Sequence, residues 1–296
     1  MSKEAIVMLR AYLDRQAVKG VKRVPLTQTG RESLRALVKT PLGKRREAAA
    51  EAKIKAIETA AKAPLPAPVA ASEPMATAID VQGSSKEERL ARLAVMAEED
   101  PKPRALGTLR EVMVFAVGSA DAQILFVGEA PGAEEERQRE PFVGPAGQLL
   151  TKIITNGMGI RREDVYITNI CKFRPGMEGV QGSRNRQPMP EEMRACLPYV
   201  LTEINIIQPR VIVALGATAA AGLGIEGGVG RLRARFHEFS GIPVMVTYHP
   251  SWLLRQEQDG KGMEAKRFVW EDMLMVMERI GMPISEKQRG FFKPKA

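Results

Sequence analysis

Residues 124–132 read Ile-Leu-Phe-Val-Gly-Glu-Ala-Pro-Gly. Four consecutive apolar side chains run without a polar break into a tight, glycine-flanked turn. A strand with no polar alternation is covered on both faces, which marks a parallel sheet under helices rather than an open hairpin. Working outward, the same texture recurs. Residues 112–117, 165–170, 211–215 and 244–248 are short β-prone runs. Residues 146–156, 191–207 and 263–280 carry apolar side chains at helical spacing, as at Leu149, Leu150, Ile153 and Ile154. Strands alternating with helices predict an α/β fold with helices on both faces of a parallel sheet. Ligands of such sheets sit beyond the carboxyl ends of the strands. That rule directs attention to the loops after Val127, Ile167, Leu215 and Tyr248.

The chain has 296 residues, with 44 Lys and Arg against 35 Asp and Glu, a net charge of +9. The excess is uneven. Residues 1–84 hold 15 basic and 8 acidic side chains, which leaves only +2 for residues 86–296. Ile6, Leu9, Tyr12 and Leu13 predict a short amphipathic helix over residues 3–17, and residues 29–38 a second. Residues 43–84 are rich in Ala, Pro and Lys and lack aromatic side chains, so they read as a flexible linker. Ser85 followed by Glu88 reads as a helix start. The expected organisation is a helical N-terminal segment at 1–42, the linker at 43–84 and a globular domain at 85–296. The longest strongly apolar uncharged run, residues 211–225, has fifteen members, short of the ~20 that span a bilayer. Arg10 comes before any signal-peptide core could form. A cytoplasmic protein with no membrane partner is expected, and a monomer. Two cysteines, Cys171 and Cys196, form no disulfide framework and cannot supply four thiolates to an iron–sulfur site.

The strand ends carry the side chains of interest. Phe142 follows the first turn and either stacks on a planar ring or packs in the core. Asn169 ends the next strand; it either reads an amide edge or caps a turn. Arg184, Asn185 and Arg186 lie in the loop 176–187, as phosphate contacts or as a solvated basic loop. His249, one of two histidines, opens the run His-Pro-Ser-Trp-Leu-Leu-Arg at 249–255. The apolar side chains of that run either pack or wedge into a base stack. Gly222, Gly224 and Gly227 match a dinucleotide-binding pattern, but the strand ends at Leu215 and no acid follows at the required distance, so no cofactor site is assigned there.

Taken in order, these pieces resemble the family 4 uracil-DNA glycosylases: Gly-Glu-Ala-Pro-Gly at 128–132, Pro-Phe-Val-Gly at 141–144, Thr-Asn at 168–169, Arg-Pro at 174–175, Asn-Arg at 185–186, Ala-Cys-Leu-Pro at 195–198, Ala-Leu-Gly at 214–216 and the run at 249–255. The resemblance covers roughly residues 106–280. It implies a three-layer α/β/α sandwich with a central four-stranded parallel sheet, preceded here by a helical or disordered arm. It implies a repair enzyme that flips uracil out of single- or double-stranded DNA and hydrolyses its N-glycosidic bond. By that resemblance Glu129, Asn185 and His249 are catalytic, with His249 stabilising the departing uracil oxygen and Asn185 positioning water. Phe142 and Asn169 hold uracil, with backbone amides near Ala130. Arg184, Arg186, Ser251, Leu253, Leu254 and Arg255 meet DNA, with Arg174 as a further phosphate contact; one of the two leucines fills the gap left by the base. The family also carries a four-iron cluster on four cysteines. Here only Cys196 stands at one of those positions; Pro101–Arg104 replaces a Cys-x-x-Cys, Phe173 replaces the third ligand, and Cys171 lies two positions early. No cluster and no other cofactor or metal is therefore expected. A self-crosslinking subclass has a histidine in the long loop, and residues 176–187 contain none. The alternative is a catalytically weak uracil- or DNA-binding module on the same fold.

Overall fold

The computed structural model describes residues 77–292. The helices expected at 3–17 and 29–38, and most of the linker, lie outside the described residues. The described chain starts earlier than the expected domain: Val81 is buried, and the Ile79 amide donates to Thr202 Oγ1 at 2.7 Å. Two apolar side chains in a polar stretch suffice to dock it.

Helix α1 (Lys86–Glu99) starts at Ser85, whose hydroxyl accepts from the Glu88 amide at 3.2 Å, as expected of a Ser cap. A short α2 (Pro101–Ala105) follows, then β1 (Leu109–Met113), β2 (Ala116–Gly118) and β3 (Ile124–Gly128). The run 112–117 is thus two strands in two sheets, not one. Next come α3 (Ala133–Gln138), α4 (Pro145–Lys152), β4 (Tyr166–Asn169) and β5 (Phe173–Pro175). The long α5 (Pro190–Ile207) leads to β6 (Val211–Leu215), α6 (Ala217–Gly222) and α7 (Val229–Leu232). The chain continues through β7 (Phe236–Phe239), β8 (Ile242–Thr247), α8 (Pro250–Gln258), α9 (Gly262–Arg279) and α10 (Glu286–Arg289). No described helix is long and apolar enough to cross a membrane.

The main sheet has the order β2-β4-β3-β6-β8-β7. Its four inner strands, β4, β3, β6 and β8, are parallel, as expected; β2 and β7 add antiparallel edges, so the sheet is six-stranded and mixed. Strands β1 and β5 form a separate antiparallel pair. Alternation along the inner strands fills both faces. Ile124, Phe126, Val211, Val213 and Met245 pack against α4, α8 and α9. Leu125, Val127, Ile212, Ala214, Val244 and Val246 pack against α5 and α6. This is the three-layer sandwich. Strand β3 lies between β4 and β6: the crossover from β3 runs to β4 on one side, and the next, from β4, runs back past β3 to β6 on the other. The crevice beyond that reversal, at the carboxyl ends of β3 and β6, is where such sheets bind ligands.

Behind the end of β4 lies a fully buried ion pair. Lys172 Nζ donates to Glu203 Oε1 and Oε2 at 2.9 and 2.7 Å, and neither side chain is exposed. Thr168 and Tyr166 hydroxyls donate to the same carboxylate at 2.9 and 3.3 Å, and the ammonium lies 5.0 Å from the Phe115 ring centroid. Burial pushes the Glu203 carboxyl up, and Lys172 opposes that shift. A buried charge that loses its partner is left unsolvated, so Lys172→Met or Glu203→Leu alone should cost about 3–5 kcal/mol in urea unfolding. The double variant should recover most of the loss. A single-variant loss under about 1 kcal/mol would contradict the pairing.

Candidate active site

The carboxyl ends of β3, β4, β6 and β8 open into a cleft of about 600 Å³. Its lining includes Glu129, Ala130, Phe142, Asn169, Asn185, Arg186, His249, Ser251 and Arg255. These nine expected site residues come from five separate segments of the sequence, and the fold brings them to one place. Arg184, Leu253 and Leu254 are not in the lining.

The floor is built around Gly128. A Cβ there would lie 2.3 Å from Asn169 Oδ1 and 2.5 Å from the Phe142 ring. Both side chains lean into the space that glycine leaves open, and Gly128 pairs with Asn169 in the parallel register. Phe142 takes a left-handed backbone, φ +56°, unusual for an aromatic residue. Gly147 permits this, because a Cβ on it would lie 1.9 Å from the Phe142 carbonyl. Phe142 is largely buried yet lines the cleft, so packing and ring contact are both served. Among the described residues the Asn169 side-chain amide has no hydrogen-bond partner, and it therefore offers the cleft a donor and an acceptor.

His249 stands at the N-cap of α8, with its ring 5.6 Å from that of Phe142. The Ser251 backbone amide donates to His249 Nδ1 at 3.2 Å, and Ser251 Oγ lies 2.9 Å from the same nitrogen. A backbone N–H can only donate, so Nδ1 is the bare nitrogen and the proton sits on Nε2. Burial, then the nearby Arg255 guanidinium, pushes the His249 pKa down to about 4. The imidazole is thus a neutral Nε2–H donor at neutral pH. Burial pushes Glu129 up, opposed by a hydrogen bond from Thr218 and by Arg255. Thr218 lies just beyond β6 and lines the cleft with Glu129.

Three features escape a reading of the sequence. Glu135 accepts from the amides of Gly132, Val143 and Gly144 at 3.2, 3.1 and 2.9 Å, tying the two halves of the first loop together. Its neighbours Glu134 and Glu136 make it look like part of a solvated acidic run. Tyr248 and Trp252 stack at 3.8 Å along one wall; aromatic residues four apart are visible in the sequence, but there they read only as an apolar run. Thr218 carries no signal at all.

Several expected DNA contacts are placed otherwise. Arg174 is buried and bonded within the protein. Arg186 uses all five of its N–H groups on Glu192 and on the carbonyls of Thr108, Gly176 and Gln187, so none is left for a phosphate. Leu253 belongs to the core under α8 and cannot leave it to fill a base stack. Arg184 is exposed, although it donates to the carbonyls of Val180 and Gln181.

Cys171 and Cys196 are both fully buried, and a hydrogen bond to Cys196 together with burial pushes Cys171 up. Phe173 packs in the same apolar group with Tyr199, Leu93 and Met113, under the Arg104 guanidinium at 4.8 Å. Pro103 is buried in α2, where two further cysteines would be needed. Among the described residues no group of three His, Cys, Asp or Glu side chains converges as ligands would.

A profile of the Uracil DNA glycosylase superfamily matches residues 115–274. The chain belongs to that superfamily. The "Type-4 uracil-DNA glycosylase" of Thermotoga maritima is 44% identical over 167 residues, 55% of this chain and 81% of that protein. The one of Archaeoglobus fulgidus is 40% identical over 154 residues, 49% of this chain and 73% of that protein. A "Type-5 uracil-DNA glycosylase" of Thermus thermophilus is 30% identical over 157 residues, 45% of this chain and 67% of that protein. The matched superfamily segment contains every cleft residue named above.

With two histidines in the chain, the state of His249 is open to direct measurement. The unfolded imidazole titrates near 6.5 and the folded one near 4. Between those values the unfolded chain binds more protons, so stability falls as the pH drops from 6.5 towards 4. Nitrogen NMR should show His249 neutral and protonated at Nε2 down to about pH 4. Titration near 6.5, or a proton on Nδ1, would contradict the geometry.

Proposed function

We propose that this chain excises uracil from DNA by hydrolysing the bond between uracil N1 and deoxyribose C1′. The observation that carries the reading is the convergence of Glu129, Phe142, Asn169, Asn185 and His249 on one cleft at the crossover reversal. A base in a duplex must leave the stack to reach such a site. Phe142 supports the extruded ring. Asn169 pairs its donor and acceptor with the amide edge of uracil, a pattern that cytosine does not present. Backbone amides around Ala130, which lines the cleft, help to hold the base.

As the glycosidic bond breaks, its electron pair moves onto uracil and the sugar becomes oxocarbenium-like. The His249 Nε2–H meets the uracil oxygen on which charge develops, and a neutral imidazole is suited to that donor role. Water held by Asn185 attacks C1′ and gives its proton to Glu129, whose raised pKa makes it the stronger base. Ser251, at the amino end of α8, and Arg255, in its last turn, meet the flanking phosphate. Leu254, half-buried beside core Leu253, is the side chain of that run left to fill the vacated stack. Nothing in the cleft favours the weak binding module, because every group that the chemistry needs lines it.

The family's four-iron cluster does not fit these residues. Two cysteines stand against four required thiolates, and apolar side chains occupy the surroundings of Phe173. We therefore assign no cluster and no step through one.

Incubation with a uracil-containing oligonucleotide followed by alkali should cut at the abasic site. His249→Ala should lower kcat about 10²–10³-fold, as loss of one charge-stabilising donor does. The absence of cutting on both single- and double-stranded substrate would sink the reading. The purified active protein should contain no iron; a stoichiometric brown chromophore would refute the cluster-free assignment.

A further inference from the structure

Asn185 is an exposed side chain on an irregular loop, yet one end of it is held by a buried cation. Arg174 stands on β5 and is 3% exposed. Its Nε donates to Asn185 Oδ1 at 2.9 Å, and its Nη1 to Glu136 Oε2 at 2.9 Å. Its Nη2 donates to the carbonyls of Gly182 and Arg184, both at 2.8 Å. Gly182 has φ +54°, a backbone that suits glycine and turns its carbonyl onto the guanidinium. Four bonds on a planar, always-charged group leave it one orientation.

That pairing also decides which end of the amide meets the cleft. A guanidinium has only donors, so the Asn185 atom beside it must be the oxygen. The nitrogen is the end turned towards Gly132, 3.0 Å from where a Cβ on that glycine would lie.

We infer that Arg174 is a positioning residue that makes Asn185 a hydrogen-bond donor only, aimed into the cleft beside Gly132. The inference rests on the glycosylase reading, in which Asn185 holds the attacking water. A water that accepts from this N–H keeps its second lone pair for C1′. Its proton has no acceptor on Asn185 and passes to Glu129. Glu136 completes the support by holding Arg174 from α3.

The test is single-turnover and steady-state uracil excision by wild type, Asn185→Asp, Asn185→Ala, Arg174→Lys and the double variant Arg174→Lys/Asn185→Ala, with melting temperatures. Asn185→Asp keeps an acceptor for Arg174 but replaces the donor facing the cleft. It should melt no lower than wild type and still lose about 10²-fold in kcat, as a misplaced reactant does. Arg174→Lys should lower kcat about tenfold or more with little change in KM, and should cost nothing further in the Asn185→Ala background. An Asn185→Asp enzyme within about threefold of wild type would overturn the donor assignment, because an acceptor would then serve. A kcat loss from Arg174→Lys that multiplies that of Asn185→Ala would overturn the positioning role. If Arg174→Lys does not fold, Asn185→Asp alone decides. A wild-type enzyme without excision fails the glycosylase reading itself and takes this inference with it.

Discussion

The space above Gly128 is the constraint on which the rest depends. Strand β3 ends there without a Cβ, and Phe142 and Asn169 come together in the opening. Each can do so only because something else yields. Phe142 needs a left-handed backbone, which needs Gly147 beneath it and the Glu135 carboxylate drawing in the following amides. Asn169 needs the β3–β4 register, which pairs it with Gly128 rather than with a neighbour. An alanine at 128 would displace the ring and the amide together, so the fold and the site meet at one missing methyl group.

A second pattern runs around the cleft. Carboxylates carried by helices hold down the strand-end loops from behind. Glu203 on α5 takes Thr168 and Lys172, the residues on either side of Asn169 to Cys171. Asp272 on α9 takes Thr247, Arg233 and the Ala234 amide, behind Tyr248 and His249. Glu192 on α5 takes Arg186, and Glu136 on α3 takes Arg174, on both sides of Asn185. None of these acids lines the cleft. They replace the flexibility expected of loops with fixed charge-assisted bonds, which is what a site that acts through preorganised donors requires.

The inner strands and most of the cleft are legible in the sequence, because an uninterrupted apolar run ending in a glycine-rich turn is compatible with little besides a buried strand and its loop. The edge strands are not legible. Strand β7 is Phe-His-Glu-Phe and β2 is three residues long, so neither shows a usable period. The arginines mislead for a different reason. Sequence shows a charge but not the acid that faces it, and Arg174 finds its partner 38 residues away on another element. Leu253 and Leu254 are chemically alike, and only the pitch of α8 sends the first into the core. The +9 divides along the chain as the sequence indicates, but the +2 domain uses two of its arginines, Arg174 and Arg186, internally rather than on DNA.

The central claim is that the cleft is preformed for the uracil ring by Phe142, Asn169 and a neutral His249. A crystal structure with free uracil tests it most directly. The account predicts the ring against Phe142, two hydrogen bonds from its amide edge to Asn169, and His249 Nε2 within hydrogen-bond distance of a uracil oxygen, with little change in the protein. Uracil bound elsewhere, or a site that forms only after Phe142 and the 141–144 turn rearrange, would contradict it.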